Sequence, residues 1–169
     1  MTGMRTYFSG YSPIKGSKAG LPAAMWSTGS GKFGAKFKWT GLDELVLENR
    51  SDKPVYILVK EGKKGPVVEL KPAEPLIGLG THDKIMALQK DYSNAHFAAI
   101  GPAGENWQNN YMGAVALSTE NQLKSGDDKC RFAGRGGMGS LLGYKNVLAF
   151  VAQSDDKLAP ITEVVKKVN

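Results

Sequence analysis

The amino-acid sequence predicts an α+β chain, β-rich, with short helices and an internal repeat. Three observations carry this. Most apolar runs have the length of a strand and stop at Gly, Pro, Asn or Asp. Only residues 81–92 hold a helical period over several turns. A glycine-rich stretch followed by a short helix and then an apolar strand occurs twice, starting at Thr28 and at Ala133.

Taken in order, residues 5–9 read as a strand closed by the turn Gly10-Tyr11-Ser12-Pro13, and residues 14–20 as a basic loop. Residues 21–26 are apolar and short, as in a buried strand, and lead into the first glycine loop, residues 28–35. Phe33, Phe37 and Trp39 recur at nearly helical spacing, with Lys36 and Lys38 pointing elsewhere, and Gly41 stops this helix. Residues 44–48 read as a strand. Residues 54–60, rich in β-branched and aromatic side chains, suit a strand buried on both faces, and residues 66–70 return as the second arm of a hairpin.

Thr81 is the expected N-cap of the longest helix, with Asp83 in its first turn, where the helix dipole favours an anion. Residues 95–100 and 113–117 read as strands around a turn at 101–106. Residues 118–129 read as a polar loop entering the second glycine loop, residues 133–140. A short helix over 139–145, a strand over 147–152, a polar turn and a last strand over 161–165 complete the chain. Aligned on their turns, residues 45–47 and 55–59 of the first half match 147–151 and 161–165 of the second.

The 169 residues suit one domain with its own core, and the 21 glycines indicate many tight loops. A net charge of +6 favours an anionic partner, such as a phosphate-bearing cofactor, a nucleic acid or an acidic protein. The single cysteine, Cys130, excludes an intrachain disulfide and any cysteine-ligated cluster built from this chain alone. No apolar run approaches the ~18 residues that span a bilayer, and no signal-type core follows Met1, so the cytoplasm is the expected location and no membrane partner is expected.

Each glycine stretch has Gly-x-Gly-x-x-Gly spacing with a basic residue inside, Lys32 in one and Arg135 in the other. Glycine allows a phosphate to approach backbone N–H groups, so both read as anion cradles. A dinucleotide site requires a preceding strand and a full-length helix. Neither is expected at the second loop, although Asp155 and Asp156 lie where a ribose-binding acid would sit, so a dinucleotide-binding domain stays open as a weaker alternative. Arg5, Arg131 and Arg135 adjoin strand ends or glycine loops, where a guanidinium can grip a phosphate with two hydrogen bonds. His82 reads as solvated, His96 as a hydrogen-bonded structural residue and Cys130 as an inert thiol. No catalytic constellation or metal-ligand cluster is expected. Dispersed lysines without a stacking motif make a nucleic-acid partner the least supported reading.

Five phrases occur in one order: Ser12-Pro13-Ile14-Lys15-Gly16, Ser30-Gly31-Lys32-Phe33-Gly34-Ala35-Lys36-Phe37-Lys38, Ser51-Asp52-Lys53-Pro54-Val55-Tyr56, Ile100-Gly101-Pro102-Ala103-Gly104-Glu105-Asn106 and Arg131-Phe132-Ala133-Gly134-Arg135-Gly136-Gly137-Met138-Gly139. Over residues 2–152 the chain resembles the N-terminal domain of tungsten-containing aldehyde ferredoxin oxidoreductases. The resemblance implies an α+β unit of pseudo-twofold symmetry, its mixed and antiparallel sheets forming a base under a tungsten or molybdenum ion held by two pyranopterins. It implies that Arg5 lies between pterin and iron–sulfur cluster. Thr28, Gly29, Ser30 and Gly31, with Arg131, Phe132, Ala133, Gly134, Arg135 and Gly136, would line the pterins and a magnesium ion bridging their phosphates. Thr28 stands where the family commonly has Asn, and Phe132 where it commonly has Ala.

The resemblance further implies that the chain starts inside the family's first domain, without its opening strands. It would stop before the domains that carry the 4Fe-4S cysteines and the remaining pterin-binding motifs. The expected role is thus part of an enzyme that oxidises an aldehyde to its acid with ferredoxin as acceptor, inactive alone. The remaining domains or a separate subunit would be its partners, and a homodimer is compatible with the reading. A non-catalytic module that binds a phosphate, free pterin or another protein is the alternative, and whether the isolated chain holds any cofactor stays open.

Overall fold

The computed structural model describes residues 5–13 and 23–155. Two sheets and short helices form an α+β architecture, as expected. In chain order the elements are β1 (Arg5–Tyr11), β2 (Ala24–Ser30), α1 (Phe33–Trp39), β3 (Val55–Gly62), β4 (Gly65–Pro72), a 3₁₀ turn (Glu74–Leu76), α2 (Thr81–Asp91), β5 (Ala95–Ile100), α3 (Pro102–Glu105), β6 (Val115–Leu117), α4 (Glu120–Ser125), β7 (Arg131–Ala133), α5 (Met138–Tyr144) and β8 (Val147–Gln153). Strands β1 and β2 pair alone as an antiparallel ribbon; the other six form one sheet in the order β4-β3-β8-β5-β6-β7. Among the described residues its only parallel pair is β3 with β8, at its centre.

The core lies where side chains of this sheet meet the helices. All six residues of β5 are buried, and β8 contributes Val147 through Ala152. Strands buried on both faces read as continuous apolar runs, which is why residues 55–59, 95–100 and 147–152 are legible in the sequence. Helix α2 adds Ile85 and Leu88, and α1 adds Phe33. Two lysines are buried with them. Lys84 pairs with Glu105 and donates to the carbonyls of Ile100 at 2.8 Å and Leu79 at 3.0 Å. Lys36 donates to Asn94 Oδ1 and to the Ser154 carbonyl, each at 2.6 Å. Lys36 therefore does not point away from the core as its helix pattern suggests; its ammonium is satisfied by oxygen partners inside.

Several other expectations change. Residues 44–48 keep their alternation, with Leu45 and Leu47 packed on the core and Val46 exposed, but form no strand. Thr28, Gly29 and Ser30 are not loop: they end β2, paired with Tyr7, Thr6 and Arg5 of β1. Ala24, Met25 and Trp26 in the same strand are exposed rather than buried. Strand β1 continues through the expected turn to Tyr11.

Thr81 is the first helical residue of α2, with Gly80 as its cap. The turn at 101–106 contains α3. The polar stretch at 118–129 contains α4, capped by Thr119, whose hydroxyl accepts the Gln122 N–H at 3.1 Å. Arg131, Phe132 and Ala133 form β7 against β6 instead of a loop.

The repeat also moves register. A hairpin-like strand pair, a glycine turn, a short helix and a central strand occur as β1-β2-α1-β3 and again as β6-β7-α5-β8. The equivalent of β8 is thus β3, its parallel neighbour, and not the segment at 45–47; the strand expected at 161–165 and the loop at 14–20 lie outside the described residues.

Candidate anion-binding site where two glycine-ended strands meet

Strand β2 runs into Gly31 and β7 into Gly134, and the two ends pack against each other. The Arg135 N–H donates to Ser27 Oγ of β2 at 3.0 Å. A side chain at Gly29 would collide with Leu117 of β6 and come within 3.3 Å of the Ala133 nitrogen. The two stretches are therefore packed against each other rather than apart. Arg5 lies opposite Ser30 in the ribbon, and its guanidinium donates to Thr28 Oγ1 at 3.4 Å.

The glycines divide by role. Gly31 has φ +128°, Gly136 +68° and Gly137 +67°, conformations that other residues adopt at a strain cost. A Cβ on Gly136 would press on Met25 and Met138, and one on Gly137 would strike the Tyr111 carbonyl. These positions shape the turn. Gly134 is different: it is exposed and has nothing within 4 Å of its Cβ direction, so its backbone opens outward.

Arg5 of β1, Arg131 of β7 and Arg135 beyond it are all exposed and, among the described residues, without a carboxylate partner. Phe132, 52% exposed, lies between the last two in the chain. Arg131 also lines an open cavity of about 340 Å³ with Ser30, Gly31, Lys32, Thr119, Glu120 and Asn121. Lys32 pairs with Glu120 at 2.9 Å. That hydrogen bond is the main reason the Glu120 carboxyl is lowered to about 2.

Glu120 also faces His96 Nε2 at 3.4 Å, while His96 Nδ1 lies 2.9 Å from Ser118 Oγ, which accepts the Phe97 N–H. Burial pushes the His96 imidazole below its ordinary range, so it is held neutral behind the cavity. Thr119 and Glu120 are members that sequence reasoning left out; Lys32 is the basic residue expected inside the first glycine stretch, and His96 is hydrogen-bonded as expected. The one available signal was Thr119 followed three residues later by Gln122, a helix-start pattern that would have placed Glu120 beside the glycine turn.

Elsewhere Gln122 Nε2 contacts His82 Nδ1 at 3.0 Å and Cys130 Sγ at 3.1 Å, so His82 is engaged rather than solvated. Burial raises the Cys130 thiol, keeping it unreactive. No cluster of three or more His, Cys, Asp or Glu that could hold a metal occurs among the described residues, and none of the described helices is long and apolar enough to cross a membrane. The dinucleotide alternative lacks its βαβ unit. Strand β7 is three residues long, at the sheet edge, and separated from β8 by β6 and β5. Asp155 is hydrogen-bonded to Asn94 Nδ2 at 2.8 Å.

Fold and site together define an α+β domain that offers arginines and open backbone at the end of one sheet. A family model described as the aldehyde ferredoxin oxidoreductase N-terminal domain matches residues 1–154. The chain is 35% identical over 138 residues to the tungsten-containing aldehyde ferredoxin oxidoreductase of Thermococcus kodakarensis, covering 80% of this chain and 20% of that protein. It is 33% identical over the same length to the corresponding enzyme of Pyrococcus furiosus, with the same coverage. Among solved structures it is similar to a chain of the active-site complex BamBC of benzoyl coenzyme A reductase with 1,5-dienoyl-CoA, with TM-score 0.72 and 27% identity over 94% of this chain and 21% of that one. The chain belongs to the aldehyde ferredoxin oxidoreductase N-terminal domain family, and it spans about a fifth of the length of the relatives it matches.

Proposed function

We propose that this domain forms one wall of a tungsten–pterin site in a larger oxidoreductase, gripping the phosphate-bearing arms of the cofactor. The observation that carries the reading is the packing of the ends of β2 and β7 on each other, with Arg5, Arg131 and Arg135 exposed on these segments and open backbone at Gly134. The residues fit such a group, because guanidiniums without carboxylate partners match phosphate oxygens and a glycine without a Cβ neighbour leaves room for them. Arg131 and Arg135 would hold phosphate and Arg5 the edge of a pterin. The backbone of Thr28, Ser30, Phe132 and Gly134 would face the remaining polar atoms.

When bound, the metal–pterin group would supply two-electron oxidation of an aldehyde to its acid. A magnesium ion near the phosphates, a 4Fe-4S cluster from other domains, ferredoxin as acceptor and a cytoplasmic location would complete the proposal. No catalytic residue is assigned within this chain; its work is binding and orientation.

The test is cofactor content in the assembled enzyme carrying this domain. Arg135→Ala and Arg131→Ala are each expected to reduce tungsten and pterin per chain at least about threefold, the effect of losing one charge-assisted phosphate contact. The readouts are metal analysis and pterin fluorescence after oxidation. Full occupancy in both variants would remove this edge from the site.

A further inference from the structure

At the cavity that Lys32, Glu120 and Arg131 line, one carboxylate serves several cations. Lys32 Nζ lies 2.9 Å from Glu120 Oε1, His96 Nε2 lies 3.4 Å from the same oxygen, and Lys124 Nζ reaches Oε2 at 3.4 Å. These cations differ in access. The lysine side chains are 29% and 77% exposed, whereas His96 is 3% exposed in β5, an interior strand of the sheet. A lysine can therefore leave Glu120 for another anion, while His96 stays behind it.

The imidazole also has a partner for a second proton. Ser118 Oγ lies 2.9 Å from His96 Nδ1 and accepts the Phe97 N–H at 2.9 Å, which leaves it one lone pair. The neutral tautomer that suits both neighbours carries its hydrogen on Nε2, toward Glu120, and accepts the Ser118 O–H at Nδ1. On protonation the Ser118 O–H turns aside and its oxygen accepts Nδ1–H. Burial first, and then the Lys32 charge, hold that proton off; Glu120 from α4 and Ser118 beyond β6 favour it, with Lys124 acting through Glu120.

We propose that the cavity binds a tetrahedral oxyanion between Lys32 and Arg131, and that His96 takes up a proton as the anion enters. The inference rests on the reading of this edge as phosphate-binding. An anion in the cavity gives Lys32 a second negative partner and draws its ammonium off Glu120. Glu120 then keeps its charge with one cation fewer, and the imidazole behind it takes a proton from solvent in replacement. One anion and one proton enter, and nothing leaves. Glu120 and His96 act as positioning residues. A carboxylate left unpaired in the cavity would repel the ligand, and one paired with imidazolium lets it in.

The test is a titration of the full chain with sulfate, whose charge is fixed throughout the histidine range. The chain has two histidines, so ring-proton NMR follows His96 with His82 as the control. Relative to chloride at equal ionic strength, saturating sulfate is expected to raise the His96 midpoint by about 0.7 pH. Sulfate should accordingly bind about fivefold tighter below that midpoint than above it, the same coupling measured from the other side. Lys32→Met should weaken sulfate at least about fivefold. Glu120→Gln should bind at high pH as tightly as the parent does at low pH, with the His96 midpoint unmoved, and His96→Gln should bind without pH dependence.

The parent titration decides the question even if a variant fails to fold. No sulfate binding, binding that leaves the His96 midpoint in place, or equal shifts of His82 and His96 would each overturn the proposal. Loss of tungsten and pterin in Arg131→Ala beside an unmoved His96 would strike this inference and keep the cofactor wall. A coupled His96 shift beside full cofactor occupancy in that variant would do the reverse.

Discussion

The protein treats its positive charges in two ways, and the contrast separates scaffold from site. At the sheet interior, Lys36 and Lys84 are buried and every visible donor direction ends on an oxygen: Asn94, Ser154, Ile100, Leu79 and Glu105. At the β2–β7 end, Arg5, Arg131 and Arg135 are exposed and lack carboxylate partners among the described residues. A buried ammonium without partners would be expelled or neutralised, so the interior lysines tie elements together. An exposed guanidinium without a partner costs the fold almost nothing and stays available to an anion. Burial and pairing, not charge itself, distinguish the two roles.

The sharpest way to break this contrast is at Lys84. Lys84→Met leaves Glu105 as a mostly buried carboxylate facing no cation, and should destabilise the fold by about 3 to 5 kcal/mol in chemical denaturation. Adding Glu105→Leu should recover most of that loss; a double variant as unstable as the single one would show that lost packing rather than the stranded charge is responsible.

A smaller effect divides the second glycine turn. Gly137→Ala places a Cβ against the Tyr111 carbonyl at positive φ and should cost about 2 to 3 kcal/mol. Gly134→Ala, with open space around it, should stay within about 0.5 kcal/mol. Equal melting temperatures for the two would mean that the turn is not built as described.

The smallest effect is a pH dependence behind the cavity. The folded state holds His96 below its ordinary 6.5, so the unfolded chain takes up its proton first as pH falls. Stability from this group is complete above about pH 6.5 and is lost as pH drops below it. Melting temperature should therefore fall between pH 7.5 and 5.5 in the parent, and less steeply in His96→Gln. Glu120, lowered to about 2, adds a separate loss that begins only below about 4.5 and runs toward 2.

How far these regions are legible in the sequence follows from the same difference. Strands β3, β5 and β8 are buried on both faces, so their apolar runs announce them, and the β3–β4 hairpin follows from its charged turn. The strands that carry the site are hidden by their own composition. Thr28-Gly29-Ser30 looks like loop because glycine and hydroxyl residues favour turns, and it becomes strand only through pairing with β1, a partner on the far side of residues 12–23. Arg131-Phe132-Ala133 is too short to show a period and is extended because β6 offers its edge. The glycines and arginines themselves were visible as candidates. The packing of the two stretches on each other was not, since Ser27 and the Arg135 N–H meet only through tertiary packing. Lys32 lies inside the Gly-x-Gly-x-x-Gly stretch, but its tie to Glu120 depends on α4, whose polar composition hides the helix that Thr119 caps.

The parallel pairing of β3 with β8 has a consequence in time as well as in space. Val55 meets Val147 across nearly all of the intervening chain, so the sheet cannot close until its last strand has emerged from synthesis. The β3–β4 hairpin can form early and locally, yet one side of β3 then waits as an apolar edge while β5, β6 and β7 are still being made. The topology predicts local hairpins first and the β3–β8 joining last, which pulse-labelled hydrogen exchange during refolding would check. Truncation anywhere before residue 147 should leave a chain that collects in aggregates rather than one that merely lacks a strand.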